Sequence, residues 1–135
     1  NIQLKLNENL KESATVGIVS LDDKNLLDSQ KILMVVAGKV KNKNQKWNKE
    51  RKSTGRIDQG ANWGSGPSYV QYIEFDVVFN ITEKNKPDIW TINSVGEKKE
   101  KLKIEEFIDD KKEKKWKFSS DHSKPSLSFL IERKV

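Results

Sequence analysis

The chain predicts an all-β fold: a two-sheet antiparallel β-sandwich, jelly-roll-like, of about eight strands in one domain over residues 1–135. Three observations predict it. Short apolar runs recur at 16–19, 32–37, 73–79 and 127–131, with turn signals between them. Most of these runs alternate apolar with polar residues, the period of a strand with one face buried. No segment carries a long helical period, an internal repeat or a heptad. Short strands spaced by turns indicate a sandwich or barrel.

Ile2-Gln3-Leu4-Lys5-Leu6 reads as a short alternating strand, turned by Asn7-Glu8-Asn9. Ala14, Val16 and Ile18 alternate with Thr15, Gly17 and Val19 as a second strand. Asp22-Asp23-Lys24-Asn25 is a turn, because Asp and Asn side chains bond their own backbone. Lys31–Val40 contains Ile32 to Ala37, an unbroken apolar run, which is the pattern of a strand covered on both faces. One face would pack in the sandwich; the other would need the long loop or another domain as cover. Tyr69–Ile81 is a strand with Ile73, Phe75, Val77 and Phe79 on one face and Glu74 and Asp76 on the other. Asp88–Val95 is a strand with Trp90 and Ile92 placed toward the core. Leu102, Ile104, Phe107 and Ile108 read as another, slipping in phase at Glu105-Glu106, where a bulge fits better than a helical turn. Asp109–Glu113 is a hairpin connection. Lys115–Ser119 sets Trp116 and Phe118 on one face, and Leu127, Phe129 and Ile131 close the domain.

Composition bounds the chemistry. There is no cysteine, so disulfides, thiolate metal sites and cysteine nucleophiles are excluded. His122 is the only histidine, so a zinc site or a histidine-based triad lacks its other members, and the expected place for His122 is a surface loop. No apolar stretch approaches the length that spans a bilayer. Neither a cofactor nor a metal is expected. Glu74 and Asp76 would project the same way, about 7 Å apart by the two-residue strand repeat. Glycosidases set paired carboxylates at about that spacing. A solvent-facing pair or a domain contact is nevertheless the expectation for these two, and no catalytic residue is assigned. Gly60-Ala61-Asn62-Trp63-Gly64-Ser65-Gly66-Pro67 is glycine-rich but opens a strand, so no helix N-terminus is there to hold phosphate. The chain starts at Asn1 without a methionine and stops after Lys134-Val135, as expected of a piece cut from a longer protein.

The formal charge is +6, unevenly spread. Residues 39–56 hold eight basic side chains against one acid, Glu50. Residues 97–117 hold nine lysines against seven acids and form a mixed-charge surface instead. The basic segment lies in the polar stretch of about thirty residues between the Lys31–Val40 and Tyr69–Ile81 strands. Loops longer than about 12–15 residues are uncommon and are usually functional or disordered. This one carries Trp47 and Trp63, which argues for order. Trp47 with Asn48 and Arg51, and Trp63 with Asn62 and Gln59, could take a sugar: rings accept its C–H face and polar groups its hydroxyls. Three roles stay open for the two rings: pinning the loop to the sandwich, docking on a neighbouring domain, or contacting sugar. A basic loop with two tryptophans also suits single-stranded nucleic acid. Lysine abundance throughout the chain makes that the least favoured reading.

The segments Ser20-Leu21-Asp22-Asp23 to Ser29, Lys31–Lys39, Asn44-Gln45-Lys46-Trp47-Asn48, Arg51-Lys52-Ser53, Trp63-Gly64-Ser65-Gly66-Pro67 and Tyr69-Val70 follow one another in order. Together they resemble the C-terminal β-sandwich of some secreted bacterial glycoside hydrolases built on a (β/α)-barrel. That pattern runs "SLDG…L…S", an apolar strand, "NTGM-W", "R-S" and "WG-GP-LVE". The resemblance covers roughly residues 15–80. Asp23 stands where the family often has glycine, Asn44-Gln45-Lys46 replaces the "NTGM" tetrad one residue shorter, and Gln71-Tyr72 replaces the usual "EG". The resemblance implies a non-catalytic accessory domain outside the bacterial cell or at its surface. Its expected partner is the catalytic domain of the same polypeptide, which it would support while the 42–68 loop helps to shape the cleft. The alternative is a carbohydrate-binding module that meets polysaccharide through Trp47 and Trp63.

Overall fold

The computed structural model describes residues 2–6, 13–47, 60–80 and 86–134. Among these residues the chain is all-β, without helix, in eleven strands. They are β1 (Ile2–Leu6), β2 (Thr15–Ser20), β3 (Lys31–Ala37), β4 (Val40–Lys43), β5 (Ser65–Val70) and β6 (Phe75–Asn80). After these come β7 (Asp88–Ile92), β8 (Lys98–Lys101), β9 (Glu105–Ile108), β10 (Lys114–Ser119) and β11 (Ser128–Glu132). A four-stranded sheet runs β1-β6-β10-β9, and a five-stranded sheet runs β2-β3-β11-β7-β8. Strands β4 and β5 pair with each other as a separate hairpin. Every pairing is antiparallel.

One core joins the two larger sheets. Ile32, Met34, Val36, Ile89, Phe129 and Ile131 reach it from the five-stranded sheet; Phe75, Val77, Phe79 and Phe118 reach it from the four-stranded one. Phe129 meets Phe75 and Phe118 across the gap, with ring centroids 5.3 and 6.2 Å apart. The alternation expected at 73–79 holds on its apolar side, since Ile73, Phe75, Val77 and Phe79 are all buried.

The strand count exceeds the expected eight because two expected strands divide and because Lys98–Lys101 forms a strand, β8, where none was expected. The Tyr69–Ile81 strand is two, β5 and β6, separated by residues 71–74. Here the chain leaves the hairpin for the four-stranded sheet. The Gln71 N–H donates to the Lys39 carbonyl at 2.8 Å, and the Gly38 N–H donates to the Gln71 carbonyl at 3.2 Å. The break between β3 and β4 faces that crossing: a Cβ on Gly38 would lie 2.7 Å from Ile73 and 2.9 Å from Gln71. The slip at Glu105-Glu106 is not a bulge within one strand. It follows residues 102–104, where the chain passes from β8 in one sheet to β9 in the other, with Leu102 and Ile104 buried on the way.

Two face assignments are corrected. Trp90 and Ile92 lie on the outer side of the five-stranded sheet, while Ile89 and Thr91 are buried. Thr91 can go inward because its hydroxyl accepts from the Glu100 N–H at 3.0 Å. Trp90 lies under Lys98 and Lys101, whose ammonium groups stand 5.2 and 5.4 Å from its ring centroid. Trp116, by contrast, packs against the core as expected. Strand β3 is covered fully on one face only. Ile32, Met34 and Val36 are buried, whereas Leu33, Val35 and Ala37 are half-buried.

Candidate functional site

The hairpin β4–β5 brings together most of what the sequence singled out. Its register pairs Val40 with Val70, Lys41 with Tyr69 and Asn42 with Ser68. Directly opposed residues share a face, so Lys41 and Tyr69 stand together on one side, and Asn42 and Ser68 on the other. The Ser68 hydroxyl donates to Asn42 Oδ1 at 2.6 Å. All of β5 is exposed.

Backbone contacts close the base of the loop. The Asn42 side-chain amide donates to the Trp63 carbonyl at 3.0 Å, and the Lys46 N–H donates to the Asn62 carbonyl at 3.1 Å. Gln45 is buried, and its Oε1 accepts from the Asn42 N–H at 2.9 Å. Asn44 and Gly64 both have positive φ, 60° and 74°. At Gly64 no other residue fits: a Cβ would sit 2.2 Å from the Lys43 carbonyl oxygen and 2.7 Å from the Gln45 nitrogen.

These contacts hold the backbone at Lys46 and Trp63 and leave the rings of Trp47 and Trp63 outside. Trp47 is 60% exposed and Trp63 62% exposed. Pinning of the loop by buried rings is thereby overturned, because the work is done by Asn42, Gln45 and Gly64. No ring–ring contact joins the two tryptophans among the described residues. Asn62 is exposed beside Trp63. Asn48 and Arg51, named with Trp47 as candidate contacts, and Gln59, lie outside the described residues. Sequence reasoning missed Tyr69 as the third exposed ring, at 56%. The signal was present, since Tyr69 follows the Gly66-Pro67 pair at the loop's exit, but assignment to a core strand hid it.

A second surface comes from register alone. On the outer side of the five-stranded sheet, Val19, Leu33, Leu130 and Trp90 lie in one row across β2, β3, β11 and β7, ending at Lys101 on β8. The next row runs Gly17, Val35, Ser128, Ile92 and Lys98. The adjoining 21–30 turn adds Leu21, Leu26 and Leu27, all exposed. Lys98 pairs with Glu132 and Lys101 with Asp88, each at 2.7 Å, so the Trp90 end is rimmed by balanced charge. The outer side of the four-stranded sheet is mostly polar: Gln3, Lys5, Asp76, Lys117, Ser119 and Glu105 share it with two apolar residues, buried Val78 and half-buried Phe107.

Carboxylates and hydroxyls do gather elsewhere. A shallow cavity of about 420 Å³ is lined by Lys5, Leu6, Glu74, Phe75, Asp76, Ser119 and Ser120. Its acids are engaged separately: Asp76 accepts from the Ser119 hydroxyl at 2.5 Å, and Glu74 Oε1 lies 2.6 Å from His122 Nε2. His122 is exposed, as expected, and its ring tilts against Tyr72 at 4.6 Å. Among the described residues no cluster of three or more His, Cys, Asp or Glu side chains could hold a metal. Nor, among the described residues, is any helix long and apolar enough to cross a membrane.

The 21–30 turn is held by Asp22, whose Oδ2 accepts from the Gln30 N–H at 2.7 Å and whose Oδ1 accepts from the Ser20 hydroxyl at 2.8 Å. The Gln30 bond, with help from Ser29 and Ser20, holds the Asp22 carboxyl far below the usual carboxylate range. Arg133 ties the turn to β11 by donating to the carbonyls of Leu26 and Leu27 at 3.2 and 3.0 Å.

Compared with protein-family models, curated proteins and solved structures, the chain matches none.

Proposed function

We propose that this chain is a non-catalytic accessory β-sandwich of a secreted bacterial protein resembling glycoside hydrolases, and that it packs on and supports the catalytic barrel. One observation carries the reading: the continuous apolar row Val19–Leu33–Leu130–Trp90 on the outer side of one sheet, set against a mostly polar outer side on the other. An antiparallel sheet that meets water on its outer side is ordinarily polar there. An extended apolar outer face marks a surface that another body covers. The motif order over residues 15–80 supports the barrel of the same polypeptide as that body.

The test uses the polypeptide that contains this chain. Leu33→Lys with Leu130→Lys should split its single calorimetric transition into two, while the separate 135-residue chain unfolds almost as before. An unchanged single transition would sink the docking reading. Hydrolysis of aryl glycosides by the pure chain, above the rate of a Glu74→Gln control, would overturn the non-catalytic assignment.

A second reading, a carbohydrate-binding module, is favoured by the exposure of Trp47 and Trp63. It predicts that the chain is retained on polysaccharide and that Trp63→Ala releases it with the fold intact.

A further inference from the structure

The two lysine-rich regions of this chain are electrostatically unlike. In residues 97–117 six of the nine lysines meet acids of the same domain, among them Lys98 with Glu132, Lys101 with Asp88, Lys114 with Glu106 at 3.0 Å and Lys115 with Asp109 at 2.5 Å. The hairpin has no such balance. Its described residues, 39–47 and 60–73, contain Lys39, Lys41, Lys43 and Lys46 and not one Asp or Glu. No ion pair is formed by Lys41, Lys43 or Lys46 among the described residues. Three exposed rings, Trp47, Trp63 and Tyr69, share this hairpin, and Tyr69 lies directly across from Lys41.

Uncompensated ammonium groups beside exposed rings suit a ligand with negative charges and apolar faces in alternation. A polyuronate has that chemistry: each sugar offers a C–H face to a ring and a carboxylate to a lysine. We propose that the β4–β5 hairpin is a binding site for a carboxylated polysaccharide. Lys41, Lys43 and Lys46 would meet its carboxylates, and Trp47, Trp63 and Tyr69 its ring faces. The choice of glycan over nucleic acid rests on the reading of the domain as part of a glycoside-hydrolase-like protein.

The probe pair is polygalacturonate and its fully methyl-esterified form, which share a backbone and differ in charge. Binding to the 135-residue chain is followed by tryptophan fluorescence, with oligo-dT run alongside. Polygalacturonate should bind saturably, more weakly as salt is added. The ester should bind at least about tenfold more weakly, since three exposed ion pairs together are worth roughly that factor. Lys41→Gln/Lys43→Gln/Lys46→Gln should lose the same factor at an unchanged urea midpoint. Equal affinity for acid and ester would overturn the proposal while leaving a neutral sugar site standing. Oligo-dT binding as tightly as polygalacturonate would overturn the choice of glycan. No binding of either would overturn the site altogether. None of these results bears on the calorimetric docking test, which does not involve the hairpin.

Discussion

Val35 and Val36 are neighbours on β3 whose side chains leave opposite faces of the sheet, and the same substitution at each measures what lies over those faces. Val36 is 2% exposed within the shared core; Val35 is half-buried on the outer row between Gly17 and Ser128. Threonine is close to valine in shape and equally suited to a strand, so Val→Thr leaves the backbone alone and exchanges a methyl for a hydroxyl. At Val36 the hydroxyl enters an apolar core, where an unpaired polar group costs about 1–3 kcal/mol. The lost methyl burial adds about 0.8 kcal/mol. The expected loss is therefore roughly 2–4 kcal/mol. At Val35 the hydroxyl can reach water, and the loss should stay within about 0.5 kcal/mol. Urea unfolding of the 135-residue chain reads both: Val36→Thr should lower the midpoint by about 1 M or more at unchanged slope, and Val35→Thr should hardly move it. Equal losses would show that the outer face is already covered inside this domain. The apolar row would then be a second core and not a surface for a partner.

Four further outcomes are expected. Asp23 holds φ at 56°, a region that costs most L-residues about 1–2 kcal/mol, so Asp23→Gly should raise the urea midpoint; a lower midpoint would deny strain there. Gly64→Ala should cost at least about 1 kcal/mol, because its Cβ would sit 2.2 Å from the Lys43 carbonyl oxygen, and NMR shift changes should concentrate in residues 40–47 and 60–70. The carboxyls of Asp22, Asp88, Asp109 and Asp121 are all held below their ordinary range, first of all by Gln30, Lys101, Lys115 and Ser123 respectively. Depressed carboxyls stabilise above about pH 4 and lose that contribution as pH falls through their folded values; the urea midpoint should drop on acidification, and less steeply in Asp22→Asn, with an identical slope refuting the assignment. Trp63→Ala should leave the urea midpoint almost unchanged, since its ring is 62% exposed; a loss of 2 kcal/mol or more on the scale of buried aromatics would return that ring to a structural role.

Where a segment offers only one apolar phase, the sequence was enough. Phe75-Asp76-Val77-Val78-Phe79 and Phe129-Leu130-Ile131 took the expected phase because their largest apolar side chains recur at every second position. Asp88-Ile89-Trp90-Thr91-Ile92 offers two, Ile89 with Thr91 or Trp90 with Ile92. Apolar weight alone chooses the tryptophan. The deciding contacts are the Glu100 backbone for Thr91 and the aliphatic lysines of β8 over Trp90, and both come from a strand that is far less apolar and easily read as a turn. The crossing after β8 was hidden for a related reason. Leu102 and Ile104 keep the two-residue period while the chain changes sheets, so periodicity reports burial but not which sheet supplies it. The hairpin β4–β5 was invisible because its strands bury almost nothing, and alternation has no meaning where neither face is covered.

The residues that carry the family resemblance divide into two groups when each is asked what it does for the fold. Asp22 holds the 21–30 turn through Gln30 and Ser20. Asp23 occupies a left-handed position, a conformation that glycine adopts without steric cost. Gln45 and Gly64, with the Trp63 carbonyl, close the loop's base. Each of these has an intramolecular reason to be what it is. The indole rings of Trp47 and Trp63 have none among the described residues: they contribute a backbone carbonyl or a chain direction that many residues could supply. A large ring left mostly in water adds little to folding free energy, since hydrophobic stabilisation scales with the apolar area removed from water. Among the described residues nothing gives tryptophan at 47 and 63 a folding role, and the ligand proposed for the hairpin would supply a reason for both rings.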